Sequence, residues 1–162
     1  MPTLYLDMDG VVADFDGYAE KMLGAEHKVN DVWPYSVWQK LLENQRLYRD
    51  LDKTVEADAL VEYCRYFCKI RGYNLHFLTA VPKGNDVHWA FYDKVVWVQN
   101  YYPDIAVHFG PFSKDKQVHC KPGDILIDDR NSNISEWQAA GGIAILHKGD
   151  LGNTISLLAA VK

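Results

Sequence analysis

Short apolar runs alternate along the chain with longer segments in which apolar residues recur at helical spacing. The runs are TLYLDM at residues 3–8, YNLHFL at 73–78, IAVHF at 105–109, DILI at 124–127 and IAIL at 143–146. Each run predicts a short buried strand. The segments at 14–23, 55–70, 86–101, 134–140 and 153–161 predict helices. This alternation predicts a Rossmann-like α/β fold, with a parallel sheet and helices on both faces.

One segment departs from this alternation. Between the first helix and the second, aromatic residues cluster in WPYSVW and are followed by the helix-like WQKLLENQRLY. The change is clearest from about residue 24 to about residue 53, and we place an inserted small helical cap at about 18–54. The 162 residues otherwise have the length and composition of one compact domain.

Charge and cysteine content limit the classes of partner. The net charge is −5 and the charged residues are scattered, so the chain offers no basic stripe for long nucleic acid. It has no long apolar segment for a membrane. Its three cysteines lack a zinc-like spacing and predict buried free thiols in a reducing, cytoplasmic setting. The oligomeric state stays open, and a homodimer is among the states that the sequence allows.

Acidic residues follow two of the predicted strands. Ligands of open parallel sheets bind beyond the carboxyl ends of the strands. Asp7 and Asp9, two positions apart, share a face of the first strand. Two carboxylates so close repel unless a divalent cation lies between them, and Mg²⁺ favours such a site. Calcium loops and solvated turns use the same DxDG spacing, so this motif alone leaves the chemistry open.

The other strand ends supply further candidates. Asp129, in ILIDDR, is the expected third carboxylate for the cation, and Asp128 would orient it or cap the next helix. The hydroxyl of Thr79 could hold a phosphoryl oxygen or serve as an ordinary strand-end cap. Three lysines on the predicted loop before ILIDD could offset the acids or be merely solvated: Lys114, Lys116 and Lys121.

Taken in order, these motifs resemble those of the haloacid dehalogenase-like (HAD) phosphatase superfamily. DMDGV, the strand-end threonine, a loop lysine and IDD follow one another as its four motifs do. The similarity is closer to the 5′(3′)-deoxyribonucleotidase branch, through DMDGVVADF, FLTAVPK followed by YDKVVWVQNYYPD, KDK and ILIDDR. It covers most of the chain apart from residues 24–53.

The resemblance implies a role for each matching position. Asp7 would be the nucleophile, and Asp9 the acid that protonates the leaving alkoxide and then the base that activates water. Thr79 and Lys116 would bind the transferring phosphoryl group. Mg²⁺ would be held by Asp7, the Asp9 carbonyl and Asp129, with Asp128 orienting these ligands. Lys116 is preferred to its neighbours because it matches the family's DK element.

The resemblance also implies a substrate, a small phosphomonoester such as a nucleotide. Phe15 matches an aromatic residue of the family's nucleoside pocket, and the insertion lies where the superfamily places a cap. Trp33 and Trp38 could stack on a base or could pack the cap against the domain. The alternatives are a phosphatase for sugar phosphates or other metabolites and a non-catalytic binding protein of the same fold.

Two features depart from the family pattern. Ala80 follows Thr79 where the family often has a hydroxyl residue, so one hydrogen bond to phosphate would be missing. The segment between Lys116 and Asp128 is longer, through its CysLysPro stretch, which leaves the register of the lysine less certain.

Overall fold

The structure, a computed structural model, describes residues 1–24, 34–44, 46–83 and 87–162. Its centre is a five-stranded sheet in the order β3-β2-β1-β4-β5, in which every pairing is parallel. The predicted α/β fold is confirmed. The strands are β1 Thr3–Leu6, β2 Asn74–Thr79, β3 Ala106–Phe109, β4 Ile125–Asp128 and β5 Ile143–Leu146.

Helices connect the strands and flank the sheet. None of the described helices is long and apolar enough to cross a membrane. In chain order they are α1 Phe15–Leu23, α2 Tyr35–Leu41, α3 Leu47–Asp50, α4 Ala57–Arg71, α5 Trp89–Tyr101, the 3₁₀ helix Ser113–His119, α6 Asn131–Ala139 and α7 Leu151–Ala159.

Helix α4 shows how the sequence pattern becomes structure. Its buried residues recur every three or four positions, which places them on one face of the helix: Ala57, Leu60, Val61, Cys64, Phe67 and Cys68. The helix stops at Gly72, whose left-handed backbone (φ 71°) lets its N–H bond to the Cys68 carbonyl.

The two faces of the sheet carry different layers. Leu4 and Leu6 of β1 face one side and join the main core with buried residues of α4, α5 and α7. Tyr5, between them, faces the other side and packs edge-on against Trp137 of α6. This alternation is the period-two geometry of a strand buried on both faces.

The helices of the insertion pack in two separate places. Helices α1 and α2 pack on each other around Ala19, Leu23 and Leu41, and α1 runs without a break across residue 18. Helix α3 packs on α5 instead, where the indole of Trp97 donates to the Leu51 carbonyl over 2.8 Å. The boundaries of the cap at 18–54 stay a prediction.

The segment before β4 differs from the prediction of a loop. Residues Ser113–His119 form a 3₁₀ helix of seven residues. Its first turn closes where the Asp115 amide donates to the Phe112 carbonyl and the Phe112 amide donates to the Asp115 carboxylate. A helix this short shows no repeating apolar pattern, so periodicity could not predict it.

Two histidines on neighbouring strands share the sheet face of Tyr5. The rings of His76 and His108 lie 4.7 Å apart, and His76 Nδ1 and His108 Nε2 are buried with no hydrogen-bond partner among the described residues. Burial lowers the pKa of both imidazoles. The pKa of His76 is lowered further by His108, and that of His108 by His119.

We expect this histidine pair to make the protein less stable in mild acid. The two histidines of the unfolded chain take up protons at about pH 6.5, whereas the folded imidazoles take them up only at lower pH. The contribution of the pair to the free energy of unfolding should therefore fall as the pH drops below that value. Urea unfolding at about pH 7.5 and about pH 5.5, compared between the wild type and a His76→Gln/His108→Gln variant, measures this contribution, and the change on acidification should be less favourable in the wild type. Equal changes in the two proteins would contradict this expectation.

Candidate active site

A pocket opens at the carboxyl ends of β1 and β4. Acidic side chains line its floor, and aromatic side chains of the insertion line another part of it. The lining residues used below are Asp7, Asp9, Phe15, Trp38, Tyr48, Lys116 and Asp129. The structure thus brings most of the predicted site residues to one place, as expected for a parallel sheet.

Asp7 follows β1 directly and is held by the neighbouring strand. Its amide donates to the Ile127 carbonyl of β4 over 2.9 Å, and its residue surface is only 5% exposed. Its Oδ1 accepts a 2.7 Å hydrogen bond from Lys116. Burial, followed by the charge of Asp128, raises the pKa of Asp7 to about 6, although Lys116 opposes the shift. A carboxylate is thus fixed at the pocket floor.

Lys116 lies on the 3₁₀ helix, which buries its ammonium between two acids. Nζ donates to Asp7 Oδ1 and to Asp128 Oδ2, each over 2.7 Å. Burial opposes the charge, but the two carboxylates outweigh burial and raise the pKa of Lys116. Lys114 and Lys121 are exposed. Of the three candidate lysines, Lys116 is the one that lines the pocket.

Asp128 is the centre of a hydrogen-bond network beneath the pocket. Its oxygens accept from Lys116, from Asn133 Nδ2 over 3.0 and 3.1 Å, and from the Arg130 amide over 2.9 Å. Asn133 in turn accepts from the Ser113 hydroxyl over 2.8 Å. A fully buried carboxylate that accepts four hydrogen bonds from three donor groups fixes its neighbours, which suits the orienting role predicted for it.

Asp129 is the third acid of the cluster. One ligand oxygen each from Asp7, Asp128 and Asp129 lies within 4.8 Å of the other two. Burial, then the charges of Asp7 and Asp128, raise the pKa of Asp129 to about 9. Its Oδ1 is buried without a hydrogen-bond partner among the described residues. Three crowded carboxylates with one unpaired oxygen fit a hard divalent cation.

The backbone at Gly10 lies so close to the Asp129 carboxylate that only glycine fits there. A Cβ at this position would lie 2.1 Å from Asp129 Oδ2. The backbone also has φ +79°, in the left-handed region that favours glycine. Any other residue here would push Asp129 away from the carboxylate cluster.

Thr79 and Asp9 share a partner that the sequence analysis missed. Lys94 of α5 is fully buried, and its Nζ donates to Asp9 Oδ2 over 2.6 Å and to Thr79 Oγ1 over 2.9 Å. The ammonium also lies 4.6 Å from the centroid of the Tyr48 ring. The available signal was a lysine four positions after Ala90 and four before Val98, on the buried face of a helix.

Aromatic rings of α1 and of the insertion line the pocket. Phe15 lies nearly parallel to Tyr48, with 6.2 Å between ring centroids and 12° between planes, and its ring centroid is 6.1 Å from that of Trp38. Phe15 and Trp38 also pack against the small α1–α2 core, so they line the pocket and pack the insertion. Tyr48 is a lining residue that the sequence did not single out. Trp33 lies outside the described residues.

Comparison with known proteins identifies the family of the chain. Residues 1–151 match the family described as 5′ nucleotidase, deoxy (Pyrimidine), cytosolic type C protein. A comparison with curated proteins gave no match. The matched range includes every predicted site residue and all five strands. The chain therefore belongs to this family of HAD-superfamily 5′(3′)-deoxyribonucleotidases and is a phosphoric monoester hydrolase.

Proposed function

We propose that this nucleotidase hydrolyses nucleoside monophosphates in two steps, with Mg²⁺ as cofactor and an aspartyl-phosphate intermediate on Asp7. The observation that carries the proposal is the position of Asp7, a buried carboxylate at the pocket floor held by the Lys116 ammonium. A cytoplasmic location is part of the proposal, supported by the family's description and by three free cysteines.

In the first step, a carboxylate oxygen of Asp7 attacks phosphorus, and the bond from phosphorus to the ester oxygen breaks. The carboxylic acid form of Asp9 donates its proton to the departing alkoxide. The products are the nucleoside and an acyl phosphate on Asp7. Both side chains line the pocket, so both can reach a substrate bound there.

In the second step, the Asp9 carboxylate takes a proton from water, and the water oxygen attacks phosphorus. The bond from phosphorus to the Asp7 oxygen breaks and releases inorganic phosphate. Asp7 regains its carboxylate and Asp9 regains its proton, so the cycle closes without any other reactant.

The charge of the phosphoryl group has to be balanced. Lys116 is placed to do so, and a divalent cation held by Asp7, Asp129 and the Asp9 carbonyl would neutralise the remaining charge. The Thr79 hydroxyl oxygen accepts from Lys94, which leaves its own O–H to donate to a phosphoryl oxygen. Ala80 lines the pocket beside it and offers no hydroxyl.

The aromatic lining distinguishes a nucleotide from a sugar phosphate. A base stacked on Phe15 or Trp38 gains on the order of 1–3 kcal/mol, which ribose 5-phosphate does not gain. The phosphoryl site is the same for both substrates. We therefore infer a nucleoside monophosphate as substrate, with the sugar-phosphate phosphatase as the second candidate; the family match favours both enzymes over a non-catalytic protein.

We expect Phe15→Ala to reduce the preference for nucleotides. The kcat/KM for a pyrimidine deoxynucleotide should fall roughly ten- to a hundredfold, because the stacked base loses its contact. The kcat/KM for ribose 5-phosphate should change much less. Phe15→Tyr is the matched control, since it keeps a ring at this position. If the wild-type enzyme hydrolysed both substrates equally well, the nucleotide would be wrong as substrate.

A further inference from the structure

Lys94 has an environment that packing alone does not explain. Its side chain is 1% exposed, and placing an ammonium in such a site carries a large desolvation cost. An apolar side chain of similar length would fill the same space of α5 without that cost. The charge of Lys94 therefore has a role beyond packing, which an apolar residue at this position could not fulfil.

The partners of Lys94 show what its charge holds. The ammonium has three N–H groups: two donate to Asp9 Oδ2 and Thr79 Oγ1, and the ring of Tyr48 covers Nζ at 4.6 Å. Lys94 is absent from the described lining of the pocket, whereas Lys116 is part of it. Lys94 thus contacts Asp9, which lines the pocket, without lining the pocket itself.

The two oxygens of Asp9 are consequently different. Oδ2 is held by Lys94 at 2.6 Å, while Oδ1 is buried with no hydrogen-bond partner among the described residues. The hydrogen bond from Lys94 therefore fixes the orientation of the Asp9 carboxylate group. A carboxylate held at one oxygen keeps the other in a fixed place, and a displacement of 1 Å at a reacting group can cost about a hundredfold in rate.

We propose that Lys94 is a positioning residue that orients Asp9 for proton transfer to the leaving group. It rests on the proposed function, in which Asp9 is the acid. The hydrogen bond from Lys94 to Oδ2 persists through the step, in which the proton moves from Asp9 to the alkoxide oxygen. Tyr48, which lies on the inserted segment, packs over Lys94 and so joins the insertion to this arrangement.

The leaving group provides the test. A benzyl alkoxide has to be protonated as it departs, whereas 4-nitrophenolate is stable without a proton, and the two phosphate esters have similar size. The kcat/KM reports only steps up to the release of the alcohol or phenol, so the later hydrolysis of the aspartyl-phosphate does not enter it. A misplaced acid lowers kcat/KM for the benzyl ester selectively.

The experiment measures kcat/KM of Lys94→Met with benzyl phosphate and with 4-nitrophenyl phosphate. We expect about a hundredfold loss on the benzyl ester and less than about a tenfold loss on the nitrophenyl ester, within the range that general acid catalysis contributes. Equal losses on the two esters, or no loss on either, would overturn the proposal. If Lys94→Met does not fold, Lys94→Gln is measured by the same criterion.

Three comparison variants separate the possible failures. Lys116→Met should lower kcat/KM for both esters alike, because it removes charge from the phosphoryl site. Lys69→Met is the matched change at an exposed position of α4. Asp9→Asn should show the same selectivity as Lys94→Met. If Asp9→Asn is not selective, the acid role of Asp9 is wrong. If Asp9→Asn is selective and Lys94→Met is not, only the role of Lys94 is wrong.

Discussion

An Asp7→Asn variant should lose at least about 10⁴-fold in kcat on a nucleoside monophosphate, the size of loss seen when a nucleophile is removed from a hydrolase. An amide oxygen is a poor nucleophile, and the acyl phosphate would not form. The substitution also removes one of the three carboxylates that cluster at the proposed cation site. Phosphate release by the purified variant measures the loss, and a variant that retained a tenth of the wild-type rate would remove Asp7 from the mechanism.

The same variant should keep its fold. Asp7 is buried among acids, and its pKa is raised to about 6 because burial and the charge of Asp128 disfavour its carboxylate. An amide relieves that repulsion, so in excess EDTA the urea midpoint of Asp7→Asn should equal or exceed the wild-type midpoint. Asp52→Asn, at an exposed position outside the pocket lining, is the matched control. A lower midpoint for Asp7→Asn alone would attribute its inactivity to unfolding.

The sequence was sufficient to predict the sheet because each strand is a short apolar run between polar segments. All five strands and the five long helices that the pattern predicted lie where it placed them, with ends shifted by a few residues. Helix α5, for example, was predicted from residue 86 and begins at Trp89. Helix ends depend on local capping and on tertiary contacts, which apolar periodicity does not encode.

The acids of the site could be predicted because they follow strands. Asp7, Asp9 and Asp129 occupy strand ends, and the carboxyl edge of a parallel sheet brings such positions together. Lys94 and Asn133 could not be found in this way. They lie within helices, and only the packing of α5 and α6 against the sheet brings them to Asp9 and Asp128.

The carboxylate cluster leads to the second large expected effect, dependence on Mg²⁺. The family to which the chain belongs suggests a divalent metal, and Asp7, Asp128 and Asp129 crowd their oxygens within 4.8 Å. Lys116 supplies one positive charge to this group, which is too little for three carboxylates and a phosphate ester. Oxygen ligands alone, without histidine or cysteine, favour Mg²⁺ over softer metals.

We therefore expect excess EDTA to abolish phosphatase activity and added Mg²⁺ to restore it. The fold should survive, because the sheet and its core lie beneath the cluster and do not depend on a metal for packing. Far-ultraviolet circular dichroism in EDTA measures the fold, and phosphate release measures the activity. Full activity in excess EDTA would contradict the requirement.

A substitution separates the metal from the nucleophile. Asp129→Asn leaves Asp7 in place but removes the carboxylate whose Oδ1 has no hydrogen-bond partner among the described residues. The Mg²⁺ concentration for half-maximal activity should rise by at least about tenfold, within the range seen when a group that supports a metal site is lost. Saturating Mg²⁺ should recover part of the rate, which it cannot do for Asp7→Asn. If Asp129→Asn kept the wild-type Mg²⁺ dependence, Asp129 would not be a ligand, and the cation would have to be held by Asp7 and the Asp9 carbonyl without it.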